Sequence, residues 1–306
     1  MNKFYKRLLL FLFPILCCVG GIEYFYRTVP NNYTVKQNYI DTHAKDIEVL
    51  LFGDSHCFYG LNPDYFSQHA LNLSNVSQTI YFDKLLLEKH IDRLPKLKKV
   101  VFCIEYTNLS QADNTGEDDW RKYYYQHYMH LKVPIISKWD VRQYSLTLSQ
   151  DFNRTMKLIK RYCKTQKLYD CNPNGWGTNY KKEDRIQPSE VAKARAAMQE
   201  DGSMDFALNA DRLQQMIAEC KQRNIEVVIV SMPQTHLFES YLNQSKLQKI
   251  IATCTAFQTN NNNVHYLNLF RDERFVDEDF YDADHLNSDG AVKCSKIVND
   301  YLKFPK

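Results

Sequence analysis

Apolar residues along this chain fall into two alternating rhythms. Short, mainly apolar runs bounded by turn residues recur at 49–52, 70–73, 99–104, 225–231 and 264–270. Between them the apolar side chains return every three or four positions, as Leu85, Leu86, Leu87, Ile91 and Leu94 do, and as Leu213, Met216, Ile217 and Cys220 do. A continuous branched run suits a strand buried on both faces, whereas i, i+3, i+4 spacing suits a helix packed on one side. Helices are therefore predicted over 81–94, where Pro95 ends the first, and over 210–223, 241–257 and 291–302. Strand and helix in alternation make βαβ units. The pattern predicts an α/β fold, a three-layer α/β/α sandwich around a parallel sheet of about five strands.

Two stretches break the rhythm. Leu8 to Ile22 is an uncharged run of fifteen residues behind Lys3, Lys6 and Arg7, with Tyr24, Phe25 and Tyr26 extending it past Glu23. A full membrane span takes about 20 apolar residues and tolerates aromatic residues at its ends. No clean small-residue cleavage pattern follows, so the expectation is an uncleaved signal-anchor helix, with a removed signal peptide as the competing reading. The preceding basic residues place the N-terminus inside and the rest of the chain outside the cytoplasm. Residues 29–46 read as a polar stalk.

The second break is 110–205, where periodicity fades and Trp120, Tyr123, Tyr124, Tyr125, Tyr128 and Trp139 crowd together. So long an interval inside a compact α/β domain reads as an inserted lid or subdomain. Its aromatics suit either contact with sugar rings, best at Trp176 in the turn-rich run 172–177, or a small core of the insertion's own. The expected division is a transmembrane helix and flank at 1–28, then one domain at 29–306 with an insertion at about 110–205.

Composition narrows the function. Of 39 basic and 36 acidic residues, four basic and one acidic fall in 1–28, leaving 35 of each outside it. A neutral domain does not attract a polyanion, which argues against nucleic acid as a partner. The nine cysteines form no C-x-x-C pair and suggest no zinc site, and no phosphate-binding glycine motif appears, so no cofactor or metal is expected. Cys163 and Cys171 are close enough in sequence to bridge in an oxidising compartment; Cys103, Cys220, Cys254 and Cys294 read as core residues.

Chemistry concentrates at two distant blocks. The first apolar strand stops at Gly53 and presents Asp54, Ser55 and His56 at its carboxyl end, where parallel α/β sheets carry their sites. Near the other end, Tyr281-Asp282-Ala283-Asp284-His285-Leu286-Asn287 places an Asp three residues before a His. A serine hydroxyl needs an imidazole to take its proton, and the imidazole needs a third group to hold its tautomer. Ser55, His285 and Asp282 supply that set. Asp284 is the alternative orienter, Asp54 reads as structural, and His236 is the other histidine placed to reach the edge.

Gly53-Asp54-Ser55 together with Asp282-Ala283-Asp284-His285 resembles the SGNH (GDSL-type) hydrolase family, over roughly residues 47–109 and 208–304. The resemblance implies a flavodoxin-like sandwich, Ser55 as nucleophile, His285 as base and Asp282 as orienter. It also implies an oxyanion hole from the Ser55 N–H, a second N–H at Ser77, where the family usually has Gly, and the amide of Asn108 in the divergent block Glu105-Tyr106-Thr107-Asn108. Membrane-anchored relatives imply an extracytoplasmic esterase or O-acyltransferase at the cytoplasmic membrane of a bacterium. The implied substrate is an acylated glycan or cell-surface polymer, with O-acetyl esters foremost and a membrane-embedded acyltransferase as a partner. Two other readings stand beside it: a non-catalytic, membrane-anchored glycan-binding protein, and a metal-dependent phosphoesterase using Asp54, His56, Asp282, Asp284 and His285 as ligands.

Overall fold

The computed structural model describes residues 3–113 and 118–304. Its helices in chain order are α1 (Lys3–Thr28), α2 (Asn32–His43), α3 (Ser55–Gly60), α4 (Ile80–His90), α5 (Arg121–Tyr128), α6 (Phe152–Thr165), α7 (Pro188–Gln199), α8 (Ala207–Gln222), α9 (His236–Ser240), α10 (Gln244–Asn260) and α11 (Ser288–Lys303). The strands are β1 (Val49–Phe52), β2 (Ala70–Asn72), β3 (Lys99–Cys103), β4 (Glu226–Ser231) and β5 (Val264–Asn268). The chain forms two compact units, Met1–Thr34 with Gly116–Tyr169, and Val35–Thr115 with Asp170–Lys306.

The second unit contains the sheet. All its pairings are parallel and the strand order is β2-β1-β3-β4-β5. The two faces of the inner strands are buried by different helices, whereas of edge strand β5 only Val264 is fully buried. Val49, Leu51, Val101, Val228 and Val230 pack with Cys57 and Leu61 around α3 and with Cys294, Val298 and Leu302 of α11. The alternate residues Leu50, Phe52, Val100, Phe102, Val227 and Ile229 are equally buried on the other face, where Phe52 stacks on Phe102 at 5.5 Å and α4 packs on α8. Alternating side chains that are all apolar are what a sheet covered on both sides requires. The expected three-layer α/β/α sandwich is present.

The strand order fixes where a site can form. The chain leaves β1 for one neighbour, β2, and then returns to β1's other side as β3, so the connections diverge above the carboxyl ends of β1 and β3. Such a divergence opens a crevice that loops can line. Ser55 follows β1 there, and Glu105 to Asn108 follow β3.

Some expectations shift. Residues 32–43, read as part of a polar stalk, form α2, with Tyr33, Lys36, Gln37 and Ile40 buried. Those four recur at helical spacing, but two are polar, so apolar periodicity alone concealed the buried face. Helix α11 starts three residues earlier than its apolar repeat because Asn287 caps it, accepting from Asp289 N at 3.0 Å and Gly290 N at 3.1 Å. Cys163 and Cys171 are not bridged by a disulfide; Cys163 is exposed, and Cys171 is buried with Phe58 and Tyr59.

In the first unit the tyrosines of α5 form a core. Tyr123, Tyr124, Tyr125 and Tyr128 are buried, and Tyr33 meets Tyr124 and Tyr125 edge-on at 5.5 and 5.0 Å. The α5 tyrosines thus pack as a core, but one shared with Tyr26 and Tyr33 from outside the insertion, and Trp139 of the same aromatic group is exposed.

Gly53 ends β1 with φ +139, and a Cβ there would lie 2.9 Å from Cys103 Cβ and 3.2 Å from Cys57 Cβ. Both the dihedral and the space exclude a side chain. Gly53→Ala should therefore lose about 2 kcal/mol or more of stability, read from a denaturant melt; a loss under about 0.5 kcal/mol would show that the turn is not so constrained.

Candidate active site

Each side of the site is built by a small capped turn. After Gly53, Asp54 caps α3, its Oδ1 accepting from His56 N at 2.9 Å, so Ser55 begins the helix at the end of β1. On the opposite side the 279–287 loop folds on itself. Tyr281 N donates to His285 O at 2.8 Å, Asn287 N to Asp279 O at 2.9 Å, and the Asn287 amide to Glu278 O at 2.7 Å and Phe280 O at 3.2 Å. Gly290 is required where α11 meets this loop, because a Cβ there would sit 2.1 Å from Asp279 O.

These turns bring three distant side chains together. Ser55 Oγ lies 2.8 Å from His285 Nε2, although 230 residues separate them. His285 Nδ1 lies 3.2 Å from both carboxylate oxygens of Asp282, which also accepts from His285 N at 2.9 Å and Asp284 N at 3.1 Å. With Nδ1 protonated toward Asp282, Nε2 presents a lone pair to the serine hydroxyl. That is the tautomer in which a histidine can remove the proton of an attacking serine.

A second set of charges surrounds the triad. Asp284, fully buried, accepts from Arg195 Nε, from Arg195 Nη2 at 3.1 Å and from Gln199 Nε2 at 2.5 Å, while its Oδ1 lies 3.4 Å from His285 Nδ1. Arg195 also reaches Asp282, at 3.4 Å, and its Nη2 lies 3.1 Å from His285 Nδ1. His56 donates through one ring nitrogen to Asp54 at 2.9 Å and through the other to Asp284 at 3.2 Å, and its ring stacks on His285 with centroids 4.3 Å apart. Two carboxylate partners require both His56 nitrogens to carry protons, which makes it an imidazolium.

The electrostatics follow from that layout. Burial opposes charge on His56, but Asp54, Glu105 and Asp284 outweigh it and hold its pKa well above the ordinary 6.5. Burial likewise opposes charge on His285; Asp284 raises it, the stacked His56 lowers it, and the net direction is upward from 6.5. Burial would raise Asp54, yet His56 and the Asn108 amide hold it below its usual value. Glu105 is pushed up by burial to about 8 against the opposing charge of His56, and its Oε1 accepts from Met232 N at 3.0 Å.

The other expected residues fall as follows. Ser77 adopts φ 55, the left-handed conformation that glycine enters freely, and among the described residues nothing accepts from its N–H. The turn carrying it is tied beside the nucleophile's loop by Asn75 N donating to Gly53 O at 3.3 Å. Asn108 is buried, and the hydrogen bonds it makes run to the neighbours of the site: its amide donates to Asp54 Oδ2 at 3.0 Å and its carbonyl accepts from Glu105 N at 2.5 Å. Trp176 is half-buried, with its indole N–H donating to Tyr59 O at 2.7 Å. His236 lines an open cleft of about 400 Å³ with Glu239, Ser240, Gln244 and Arg271.

Sequence reasoning missed Arg195, Gln199 and Tyr180. Arg195 and Gln199 lie four apart on α7, on the same face as the buried Ala192 and Ala196; that i, i+4 pattern was visible but sat within an interval treated as irregular. Tyr180 stacks between Tyr59 and Tyr281, at 3.6 and 4.0 Å, and turns its edge to His285 at 5.3 Å. No spacing in the sequence announces that stack.

A metal would have to use His56, Asp284 and His285, whose ligand atoms lie within 4.8 Å of one another. Those donors fit an ion poorly. Both His56 nitrogens are spent on carboxylates, Asp284 is held by a guanidinium and an amide, and His285 Nε2 faces Ser55. A cation there would have to displace Arg195.

No protein-family model matches the chain, and no curated protein matches it. Among solved structures the chain is similar to a proposed platelet activating factor from Streptococcus pneumonia, at 13% identity and TM-score 0.42, covering 99% of this chain and 100% of that one. It is similar to a proposed acylhydrolase from Bacteroides fragilis at 12% identity and TM-score 0.39, covering 87% and 95%. It is also similar to a GDSL-like lipase from Bacteroides thetaiotaomicron at 12% identity and TM-score 0.40, covering 88% and 98%.

Two measurements test this geometry. His285 acts as a base only when neutral, so reactivity of Ser55 is present above the folded pKa of His285 and is lost as pH falls through it. The labelling rate with a fluorophosphonate should therefore have its acidic limb above pH 6.5, and His56→Gln should move that limb further up by removing the stacked cation. A limb that stays put or moves down in His56→Gln contradicts the arrangement. At the neighbouring turn, Ser77→Gly should keep stability within about 1 kcal/mol of the wild type, whereas Ser77→Val should lose more than that in a thermal melt.

Proposed function

We propose that the chain is a serine ester hydrolase or O-acyltransferase working through an acyl-serine at Ser55. The observation that carries this is the contact of Ser55 Oγ with His285 Nε2 at 2.8 Å, on a ring whose other nitrogen faces Asp282. In the proposed reaction Ser55 Oγ attacks an ester carbonyl carbon as its proton passes to His285 Nε2. The tetrahedral oxyanion is bound by the N–H groups of Ser55 and Ser77; the Asn108 amide, part of the same expectation, donates to Asp54 and shapes the loop beneath. Collapse expels the alcohol, which takes the proton back from His285 and leaves the acyl group on Ser55. Water, or a sugar hydroxyl, then attacks the acyl-serine by the same path in reverse.

The finer reading is an enzyme held at a membrane surface that removes or adds acyl groups, O-acetyl foremost, on an extracytoplasmic glycan or polymer. Helix α1 supports the anchor: it runs 26 residues with mean hydropathy 2.1 over its best window, and none of that window is buried within the protein. With α1 as a single-pass span the N-terminus lies inside and the catalytic unit outside. A membrane-embedded acyltransferase is the partner that would supply acyl groups. Trp176 offers one half-buried indole for a sugar ring.

Hydrolysis of a chromogenic acetate ester by the wild type and by Ser55→Ala tests the reading. The variant should lose about 10³-fold or more in kcat/KM. Equal rates would remove Ser55 from the reaction and the proposal with it.

A further inference from the structure

The charge of the chain is unevenly placed. Residues 118–169 hold eleven basic and four acidic side chains, a net of +7, whereas the whole chain nets +3. This segment, with α1, makes up the first unit. It also carries a run of exposed large apolar side chains close together in sequence: Trp139 is 82% exposed, Tyr144 70%, Phe152 71% and Leu148 53%, whereas the comparably exposed Met198, Leu208 and Phe304 of the other unit stand singly along the chain. A water-facing surface seldom collects so many aromatic and aliphatic side chains within residues 139–152 unless something covers them.

The contacts within the unit indicate what that cover is. Glu23 is the first charge after the uncharged run of α1, and it pairs with Arg27 at 2.7 Å, so a helix inserted in a bilayer leaves the hydrocarbon near this turn. The 144–147 loop is clamped there. Glu23 accepts from Ser145 Oγ at 2.8 Å and from Thr147 N at 2.9 Å, and Arg27 donates to Tyr144 O at 3.2 Å. Helix α6 is fixed to the same turn: Tyr26 OH bonds Thr155 Oγ1 at 2.9 Å, and Phe25 meets Tyr162 edge-on at 5.6 Å. The exposed apolar residues are therefore neighbours, in sequence, of groups bonded to the exit turn. Lys157, Lys160 and Lys164 of α6 are exposed, away from the face that meets α1. Aromatic residues with lysines at the exit level of a span match the chemistry of a headgroup layer.

We infer that the 139–164 segment lies in the headgroup layer of the bilayer that α1 enters. Trp139, Tyr144, Leu148 and Phe152 are immersed among the upper acyl carbons, and Lys157, Lys160 and Lys164 bind anionic phospholipid. The inference rests on the reading of α1 as a membrane span.

The full chain reconstituted in bilayers tests both steps separately. Lipids brominated near the headgroup should quench tryptophan emission, and Trp139→Phe should remove most of that quenching; lipids brominated near the bilayer centre should quench a tryptophan added by Phe11→Trp. The shallow quenching should increase when anionic phosphatidylglycerol replaces part of a phosphatidylcholine bilayer, and Lys157→Glu/Lys160→Glu/Lys164→Glu should abolish that increase. If Phe11→Trp is quenched but Trp139 is not, the span stands and the headgroup docking is wrong, whether aqueous iodide reaches Trp139 or a protein contact shields it. If neither is quenched, the span reading itself fails.

Discussion

An imidazole that alternates between neutral and charged inside a protein needs surroundings whose field supports both forms. Around His285 two carboxylates, Asp282 and Asp284, meet one guanidinium, Arg195, and one imidazolium, His56. Asp284 favours a proton on His285, and the stacked His56 opposes it. The net direction of that set for His285 is upward from 6.5.

That balance depends on the sheet. The strand order places the β1 and β3 loops at one crevice, and the sequence-distant 279–287 loop reaches it because α11 packs on the same face as α3. The caps at Asp54 and Asn287 then set the two turns with backbone hydrogen bonds, so neither Ser55 nor His285 relies on its own rotamer alone. Arg195 enters from α7, which lies late in the stretch that showed no sheet-like rhythm, and it is held by the acid it neutralises.

The sheet was legible because its inner strands are buried on both faces: short runs dominated by apolar residues have few other uses, and all five runs became strands, including the half-covered edge strand β5. The triad was legible because its turns carry rigid local chemistry, Gly53 before Asp54-Ser55 and Asp282 one turn before His285. What sequence hid was burial of polar groups. Lys36 and Gln37 sit inside α2, His56 is sandwiched between two acids, and Asn108 serves Asp54. Their partners come from elsewhere in the chain, and no local period records them. The charge of 118–169 was hidden differently, because averaging it with the acidic remainder gave a neutral total.

The nine cysteines form no disulfide, and Cys57, Cys103 and Cys294 lie together in the core under α3 and α11. In a compartment that oxidises thiols, an unfolded chain exposes all nine at once, and any pair that meets early can bridge wrongly. Burial protects these thiols only after the sandwich has closed around them. For a chain folding in such a compartment, collapse and oxidation would compete for the same thiols.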